Sequence, residues 1–197
     1  MMIIDACAGC SSGTRAPPCI STALRLRRCG GGAVAGHDPA DLDRIAQIAC
    51  RGVYQNMGQN CAGPERFFVY EGCYDEFCDK VTKLVKTMKQ GPPLASDTTD
   101  CGAICMGRKQ MQHYQNLVDD ATKKGAKVLS GGFLPSGKDP LASGSFYPPT
   151  VLADVPESAD IAQLEIFGPI MCVFKVLGNS DDEAVSVCVC VCVRVCL

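Results

Sequence analysis

Residues 55–66 read QNMGQNCAGPER, a polar, glycine-punctuated stretch that sets Cys61 between two differently patterned segments. Residues 38–54 before it carry apolar side chains at helical spacing, and their opening Asp-Pro pair suits a helix start. Residues 66–70 after it read RFFVY and are rich in aromatic and branched side chains, which favour strands. The pattern therefore predicts a helix, a loop that carries Cys61, and a strand.

Cys61 is the chemically reactive residue of this loop. Loops at the edge of a rigid α/β layer often carry functional side chains. A free thiol has a pKa of about 8.5, and the small thiolate fraction at neutral pH is very nucleophilic. The alternative is that Cys61 is one of fifteen cysteines, packed as a small hydrophobe. If Cys61 is the nucleophile, we expect it to be the most readily alkylated thiol of its domain, because the other cysteines fall on packed helix or strand faces.

Two motifs in this order resemble those of the NAD(P)-dependent aldehyde dehydrogenases. Residues 58–61 read GQNC and are followed by Arg66, which is similar to the catalytic-cysteine motif of that family. Residues 165–169 read EIFGP, which is similar to the family's cofactor-contacting E-x-F-G-P motif. The resemblance covers residues 37–184.

The resemblance implies a fold, a reaction and a site. The fold would be an aldehyde dehydrogenase-like catalytic domain, and Cys61 would attack the carbonyl of an aldehyde substrate, with the Cys61 N–H and a side-chain amide holding the oxyanion. NAD or NADP would be the hydride acceptor, and water would hydrolyse the thioester. Glu165 would hold the nicotinamide ribose and Phe167 would pack near the ring. Taken singly, Glu165 would be interpreted as a solvated loop carboxylate and Phe167 as a core aromatic. An intact family member would form a homo-oligomer.

The sequence upstream departs from the family pattern. Residues 27–32 read RRCGGG where the family carries the glutamate that serves as general base, and arginine cannot accept a proton. The family's long cofactor-binding half has no counterpart in these 197 residues. We therefore expect an incomplete, inactive form. Two alternatives stay open: a non-catalytic remnant that associates with intact subunits, and a cofactor-free thiol esterase, for which the pattern places neither His37 nor His113 near Cys61.

Helical and strand patterns alternate through the rest of the domain. We predict helices over residues 74–88 and 111–121, and strands over 127–129, 145–152 and 170–177. Gly-Pro-Pro at residues 91–93 is the predicted stop of the first helix. The apolar residues at helical spacing are Tyr74, Phe77, Cys78, Val81, Leu84, Val85 and Met88 in the first helix and Met111, Tyr114, Leu117, Val118 and Ala121 in the second. This alternation predicts an α/β fold with a largely parallel sheet flanked by helices.

The two ends of the sequence lack such patterns. Residues 1–36 show no periodicity and are predicted to be loop or disorder, and the C-x-x-C pair at Cys7 and Cys10 has no companion ligands, so no metal site is predicted. A further helix is predicted to start within residues 179–183. Residues 185–197 alternate Val and Cys, which is compatible with a strand, but our hypothesis is intron read-through in the gene model.

Composition narrows the function classes. The net charge of -2 and a pI near 5.7 provide no basic field, so we expect no nucleic-acid partner. No apolar run reaches the roughly eighteen residues of a membrane-spanning helix, so none is predicted. The odd cysteine count argues against a disulfide framework, and we expect reduced thiols and an intracellular, cytoplasmic location.

Overall fold

The computed structural model describes residues 31–35, 39–61 and 63–177, and it forms a five-stranded sheet with helices packed on it. The elements in chain order are β1 Gly31–Ala35, α1 Pro39–Tyr54, β2 Pro64–Tyr70, α2 Glu71–Thr87, α3 Gly107–Lys123, β3 Lys127–Ser130, β4 Thr150–Ala153, α4 Asp160–Gln163 and β5 Ile170–Val176.

The sheet has the strand order β1-β2-β5-β4-β3. The pairs β1-β2, β2-β5 and β5-β4 are parallel, and β3 runs antiparallel to β4 at one edge. Its two longest strands are buried almost throughout, as expected when helices cover both faces of a parallel sheet. The predicted α/β fold with a largely parallel sheet is confirmed.

The helices bury the apolar faces that their spacing predicts. In α3, every residue of the predicted set is buried: Met111, Tyr114, Leu117, Val118 and Ala121. The set predicted for the first of these helices is buried apart from Leu84 in α2 and Met88 just after it, which pack against the core while partly exposed. α2 begins directly after β2, at Glu71, and ends at Thr87, shortly before the predicted Gly-Pro-Pro stop.

Two strand predictions are wrong in detail. Residues 31–35 form β1, whereas we predicted loop or disorder through residue 36; the segment GGAVA has no alternation of its own and becomes a strand by pairing with β2. The strand predicted over 145–152 begins only at Thr150, because Pro148 and Pro149 have no N–H to donate to a neighbouring strand. The short helix α4 was not predicted.

Several sequence predictions lie outside the described residues. They concern the Asp38 cap, His37, the C-x-x-C pair, residues 27–30 of the RRCGGG stretch, the helix start at 179–183 and the Val/Cys tail. Within the described ranges, no helix is long and apolar enough to cross a membrane.

The topology places the two motifs of interest at one edge of the sheet. The Cys61 loop ends where β2 begins, at Pro64, and the EIFGP loop ends where β5 begins, at Ile170. β2 and β5 are adjacent and parallel, with Arg66 opposite Cys172, so their amino ends meet at the same edge.

Candidate functional site

The chain leaves α1 through a left-handed turn that aims it toward Cys61. Asn56, Met57 and Gly58 have φ values of 53°, 57° and 68°. Asn and Gly adopt this conformation readily, whereas Met does not. The Met57 side chain is only 2% exposed, so its burial in the core helps to hold the unfavourable backbone.

Cys61 is exposed on a tight turn directly before β2. The Gly63 N–H donates to the Asn60 carbonyl at 3.0 Å, which closes the turn around the cysteine, and the Cys61 thiol is free. Behind the turn, a Cβ on Gly52 would lie 2.8 Å from Pro64 Cγ, so the glycine lets the start of β2 pack against α1. The thiol is thus presented on a loop that is anchored at both ends.

Gln59 holds a second loop beside the Cys61 loop. Its Oε1 accepts from the Cys105 N–H at 2.7 Å, and its Nε2 donates to the Asn56 carbonyl at 3.0 Å. Cys105 is exposed as well, so the expectation that the other cysteines are all packed is wrong for this residue. It holds for the remaining described cysteines, which are Cys50, Cys73, Cys78, Cys101 and Cys172.

The EIFGP loop presents Glu165 to solvent and holds Phe167 half-buried. Phe167 has a φ of 52°, which is strained for an aromatic residue. Both of its peptide groups are bound: its N–H donates to Glu65 Oε1 at 2.7 Å, and its carbonyl accepts from the Tyr114 hydroxyl at 2.5 Å. These contacts fix a backbone conformation that the side chain would not favour.

Glu65 is a buried carboxylate that binds two consecutive backbone amides. It is 5% exposed, and the Ile166 N–H lies 3.0 Å from Oε1 and 3.1 Å from Oε2, in addition to the Phe167 bond. Burial raises the pKa of Glu65, while the amides of Phe167 and Ile166 and the charge of Arg66 oppose the rise. Hydrogen bonds from two N–H groups to one carboxylate are charge-assisted, and they are stronger than hydrogen bonds between neutral groups.

Arg66 binds the preceding part of the same loop. The residue is 1% exposed, and its Nε donates to the Ala162 carbonyl at 2.9 Å and its Nη2 to the Leu164 carbonyl at 2.6 Å. Arg66 and Glu65, neighbours at the start of β2, therefore hold the segment from Ala162 to Phe167. Arg66 binds its carbonyls and Glu65 binds its amides.

The two motif loops also touch backbone to backbone. A Cβ on Gly58 would lie 2.1 Å from the Gly168 carbonyl oxygen, and a Cβ on Gly168 would lie 2.4 Å from Tyr114 Cζ. Only glycine fits at position 58 with the backbone in its present place, and a side chain at position 168 would have to displace the Tyr114 ring.

The structure brings the GQNC and EIFGP loops together, as their resemblance to one site implies. The sequence reasoning missed Glu65 and Tyr114. The available signal for Glu65 was a Glu-Arg pair at the start of an otherwise apolar strand, because charges there must be paired in order to be buried. His113 lies half-buried on α3.

The EIFGP loop offers two groups that could contact a dinucleotide. An exposed carboxylate such as Glu165 can accept from sugar hydroxyls, and the half-buried Phe167 ring offers an apolar face or edge. Among residues 31–35, 39–61 and 63–177, no group of three or more His, Cys, Asp or Glu side chains could hold a metal ion.

Comparison with known proteins gives one family. The model of the aldehyde dehydrogenase family matches residues 26–188. The chain is 38% identical over 149 residues to the glutarate-semialdehyde dehydrogenase of Pseudomonas putida, a match that covers 76% of this chain and 29% of that protein. It is 33% identical over 144 residues to the succinate-semialdehyde dehydrogenase of Escherichia coli, whose name specifies NADP(+), covering 73% of this chain and 28% of that protein.

The fold matches as well. The crystal structure of succinate-semialdehyde dehydrogenase from Burkholderia pseudomallei superposes with a TM-score of 0.72 at 30% identity, covering 83% of this chain and 32% of that one. The described residues have the fold of an aldehyde dehydrogenase catalytic domain over the part that they span. This chain spans less than a third of the length of the relatives it matches.

Proposed function

This chain belongs to the aldehyde dehydrogenase family, and from that premise we propose that it supplies the cysteine-bearing part of an enzyme that oxidises an aldehyde to a carboxylic acid with NAD or NADP. The main support for the proposal is that two loops lie next to each other at the amino ends of β2 and β5. One loop presents the exposed thiol of Cys61, and the other presents the exposed carboxylate of Glu165.

Cys61 is the proposed nucleophile. Its thiolate attacks the aldehyde carbon, a carbon–sulfur bond forms, and the carbonyl electron pair moves to the oxygen. We propose that the Cys61 N–H donates to that oxygen, because a fixed backbone donor stabilises a developing oxyanion. After oxidation, water hydrolyses the resulting thioester, which releases the acid and returns the thiol.

Glu165 and Phe167 are the proposed contacts to the nicotinamide end of the cofactor. When bound, NAD or NADP supplies the two-electron acceptor for the oxidation. Glu165 would accept from the ribose hydroxyls, and Phe167 would pack near the ring. The locked backbone of Phe167 supports this role, because a site must hold its contacts in place before the ligand arrives.

Substrate names among the relatives guide the choice of aldehyde for a test. The Pseudomonas putida and Burkholderia pseudomallei proteins are named for glutarate and succinate semialdehyde. A panel for this chain should therefore contain both semialdehydes beside short and long unsubstituted aldehydes.

The nucleophile can be tested with the 197-residue polypeptide and an activated ester, which needs no cofactor. We expect mass spectrometry to find one acyl group on Cys61 after reaction with p-nitrophenyl acetate. The Cys61→Ser variant should lose that adduct, and Cys105→Ser, which removes the other exposed thiol of the described residues, should keep it. Acylation of Cys105 with Cys61 unmodified would overturn the assignment.

We also propose that residues 1–197 alone form no NAD(P)H from any aldehyde of the panel. Residues 27–32 carry arginines where the family places its general base, and general-base catalysis commonly contributes 10²–10⁴-fold. These residues also span less than a third of the relatives, so little remains to orient a dinucleotide against the thiol. Turnover that disappears in Cys61→Ser would contradict this proposal. Repeated ester turnover without NAD(P)H would favour the thiol esterase alternative.

A further inference from the structure

We infer that Glu65 is a positioning residue of this site: its buried carboxylate fixes the backbone of Ile166 and Phe167 and thereby couples the EIFGP loop to the Cys61 loop. The inference rests on the proposed function of those two loops. It assigns a role to a residue that neither motif includes.

The geometry of the carboxylate supports this role. Both oxygens of Glu65 lie within 3.1 Å of the Ile166 N–H, and Oε1 also accepts from the Phe167 N–H at 2.7 Å. Two consecutive amides that converge on one anion define the direction of the peptide groups between them. Ile166 itself is fully buried, so water cannot replace the carboxylate there without local opening.

The conformation of Phe167 shows what the carboxylate holds. A left-handed phenylalanine persists only when its surroundings determine it, and here Glu65 binds its N–H while Tyr114 binds its carbonyl. Without the bond to Glu65, one side of this residue would be released, and its backbone would relax toward an ordinary conformation. The Phe167 ring would then leave the position that we propose for cofactor contact.

The Cys61 loop is held at both ends by this same segment. Gly58, three residues before the cysteine, packs on the Gly168 backbone, and Glu65, four residues after it, binds Ile166 and Phe167. A shift of the EIFGP loop should therefore displace the chain on both sides of Cys61. The Glu65 carboxylate binds the backbone amides of Ile166 and Phe167, so its role is positional.

The first test is amide hydrogen exchange of Ile166 and Phe167 in Glu65→Gln, measured by NMR on the full 197-residue chain. Glutamine keeps the shape but replaces one acceptor oxygen with a donor, so we expect the protection of these two amides to fall by about tenfold or more, as for loss of a charge-assisted hydrogen bond. The matched control is Glu157→Gln, which neutralises an exposed glutamate and should leave protection unchanged. Amides within α2 should be unaffected in both variants, which separates a local release from general loosening.

The second test is the pH profile of the wild type, which needs no variant to fold. Protection factors corrected for intrinsic exchange should fall at Ile166 and Phe167 as pH is lowered through the titration of Glu65. Because burial raises the pKa of Glu65, the fall should begin above the usual carboxyl range. The titratable and charged groups that face Glu65 are Arg66, Tyr114, Glu165 and Cys172. In Glu65→Gln, the protection factors of Ile166 and Phe167 should no longer depend on pH in this range.

The third readout is the ratio of the alkylation rate of Cys61 to that of Cys105 under iodoacetamide. We expect Glu65→Gln to change this ratio at least about twofold, and Glu157→Gln to leave it as in the wild type. Unchanged protection at Ile166 and Phe167 in Glu65→Gln, or a wild-type profile without a carboxyl titration, would overturn the inference. An unchanged ratio with altered protection would overturn the coupling to Cys61.

Failure of this inference and failure of the proposed function are distinguishable. If Cys61 forms the acyl adduct and Glu65→Gln leaves exchange unchanged, the nucleophile stands and the positioning role is wrong. If exchange responds as expected while Cys61 forms no adduct, Glu65 fixes the loop but the proposed chemistry is wrong.

Discussion

Gly58 and Gly168 lie backbone against backbone, although 110 positions separate them in the sequence: a Cβ on Gly58 would sit 2.1 Å from the Gly168 carbonyl oxygen. Each glycine belongs to one of the two motif loops. Their contact requires the absence of a side chain on Gly58, and a side chain on Gly168 would meet the Tyr114 ring. The distance between the loops is thus set by backbone atoms, which adjust less readily than side chains.

Replacement of Gly58 by alanine should be strongly destabilising. Its φ of 68° costs an L-residue about 1–2 kcal/mol, and the added methyl group must displace backbone, which costs about 1–3 kcal/mol more. The matched control is Gly137→Ala, because Gly137 has a φ of 64° and nothing lies within 4 Å of the added Cβ. Urea unfolding of both variants should separate the cost of the positive φ from the cost of displacing the Gly168 backbone. Equal losses of stability would show that the Gly168 contact is unimportant.

The hydroxyl of Tyr114 should contribute to stability, and that of Tyr147 should not. The two rings meet edge to face with centroids 5.4 Å apart, but the Tyr114 hydroxyl donates to the Phe167 carbonyl at 2.5 Å. Within the described part of the chain, the buried Tyr147 hydroxyl has no hydrogen-bond partner. We expect Tyr114→Phe to lower the free energy of unfolding by about 1–2 kcal/mol, and Tyr147→Phe to leave it unchanged or raise it. The opposite order in thermal denaturation would contradict the assigned bond.

Loss of the Arg66 side chain should destabilise the fold severely. Arg66→Met leaves the Ala162 and Leu164 carbonyls without this donor and leaves the buried Glu65 without a neighbouring positive charge, for an expected cost of about 3–5 kcal/mol. The control is Arg108→Met, since the exposed Arg108 also donates to a carbonyl, that of Ala142, at 2.9 Å. Its removal should change stability by less than about 0.5 kcal/mol. A mild effect of Arg66→Met would mean that the α4–β5 loop is held by other contacts.

Alkylation should divide the described cysteines into two classes. Burial raises the pKa of Cys50 and Cys78 to about 12 and that of Cys101 to about 11, so these thiols stay protonated as well as inaccessible at neutral pH. Cys61 and Cys105 are exposed and should react first with iodoacetamide in the folded protein. Peptide mapping at pH 7.5, with a denatured sample as control, checks this order. Labelling of Cys50 or Cys78 before Cys61 would remove the physical support for Cys61 as the accessible nucleophile.

The sequence predicted the elements with strong periodicity. All five apolar residues expected to face the core from α3 do so, because the 3.6-residue repeat places them on one side of the helix and only that side can be buried. The sheet class followed from the alternation of helices and strands. The two motifs identified the family, which the family model and the relatives confirm.

Contacts between distant parts of the chain decided what no local pattern predicts. β1 is a strand because its backbone pairs with that of β2. The GGAVA segment has no periodicity from which that pairing could be predicted. Glu65 is buried because Ile166 and Phe167 bring two amides to it, and the left-handed φ of Phe167 persists because Glu65 binds its N–H and Tyr114 binds its carbonyl. The sequence alone was therefore enough for the strongly periodic elements, the family and the presence of both motifs. Only the tertiary structure placed the two loops at one edge of the sheet, since strand order and register depend on free energies of packing that no short stretch of sequence contains.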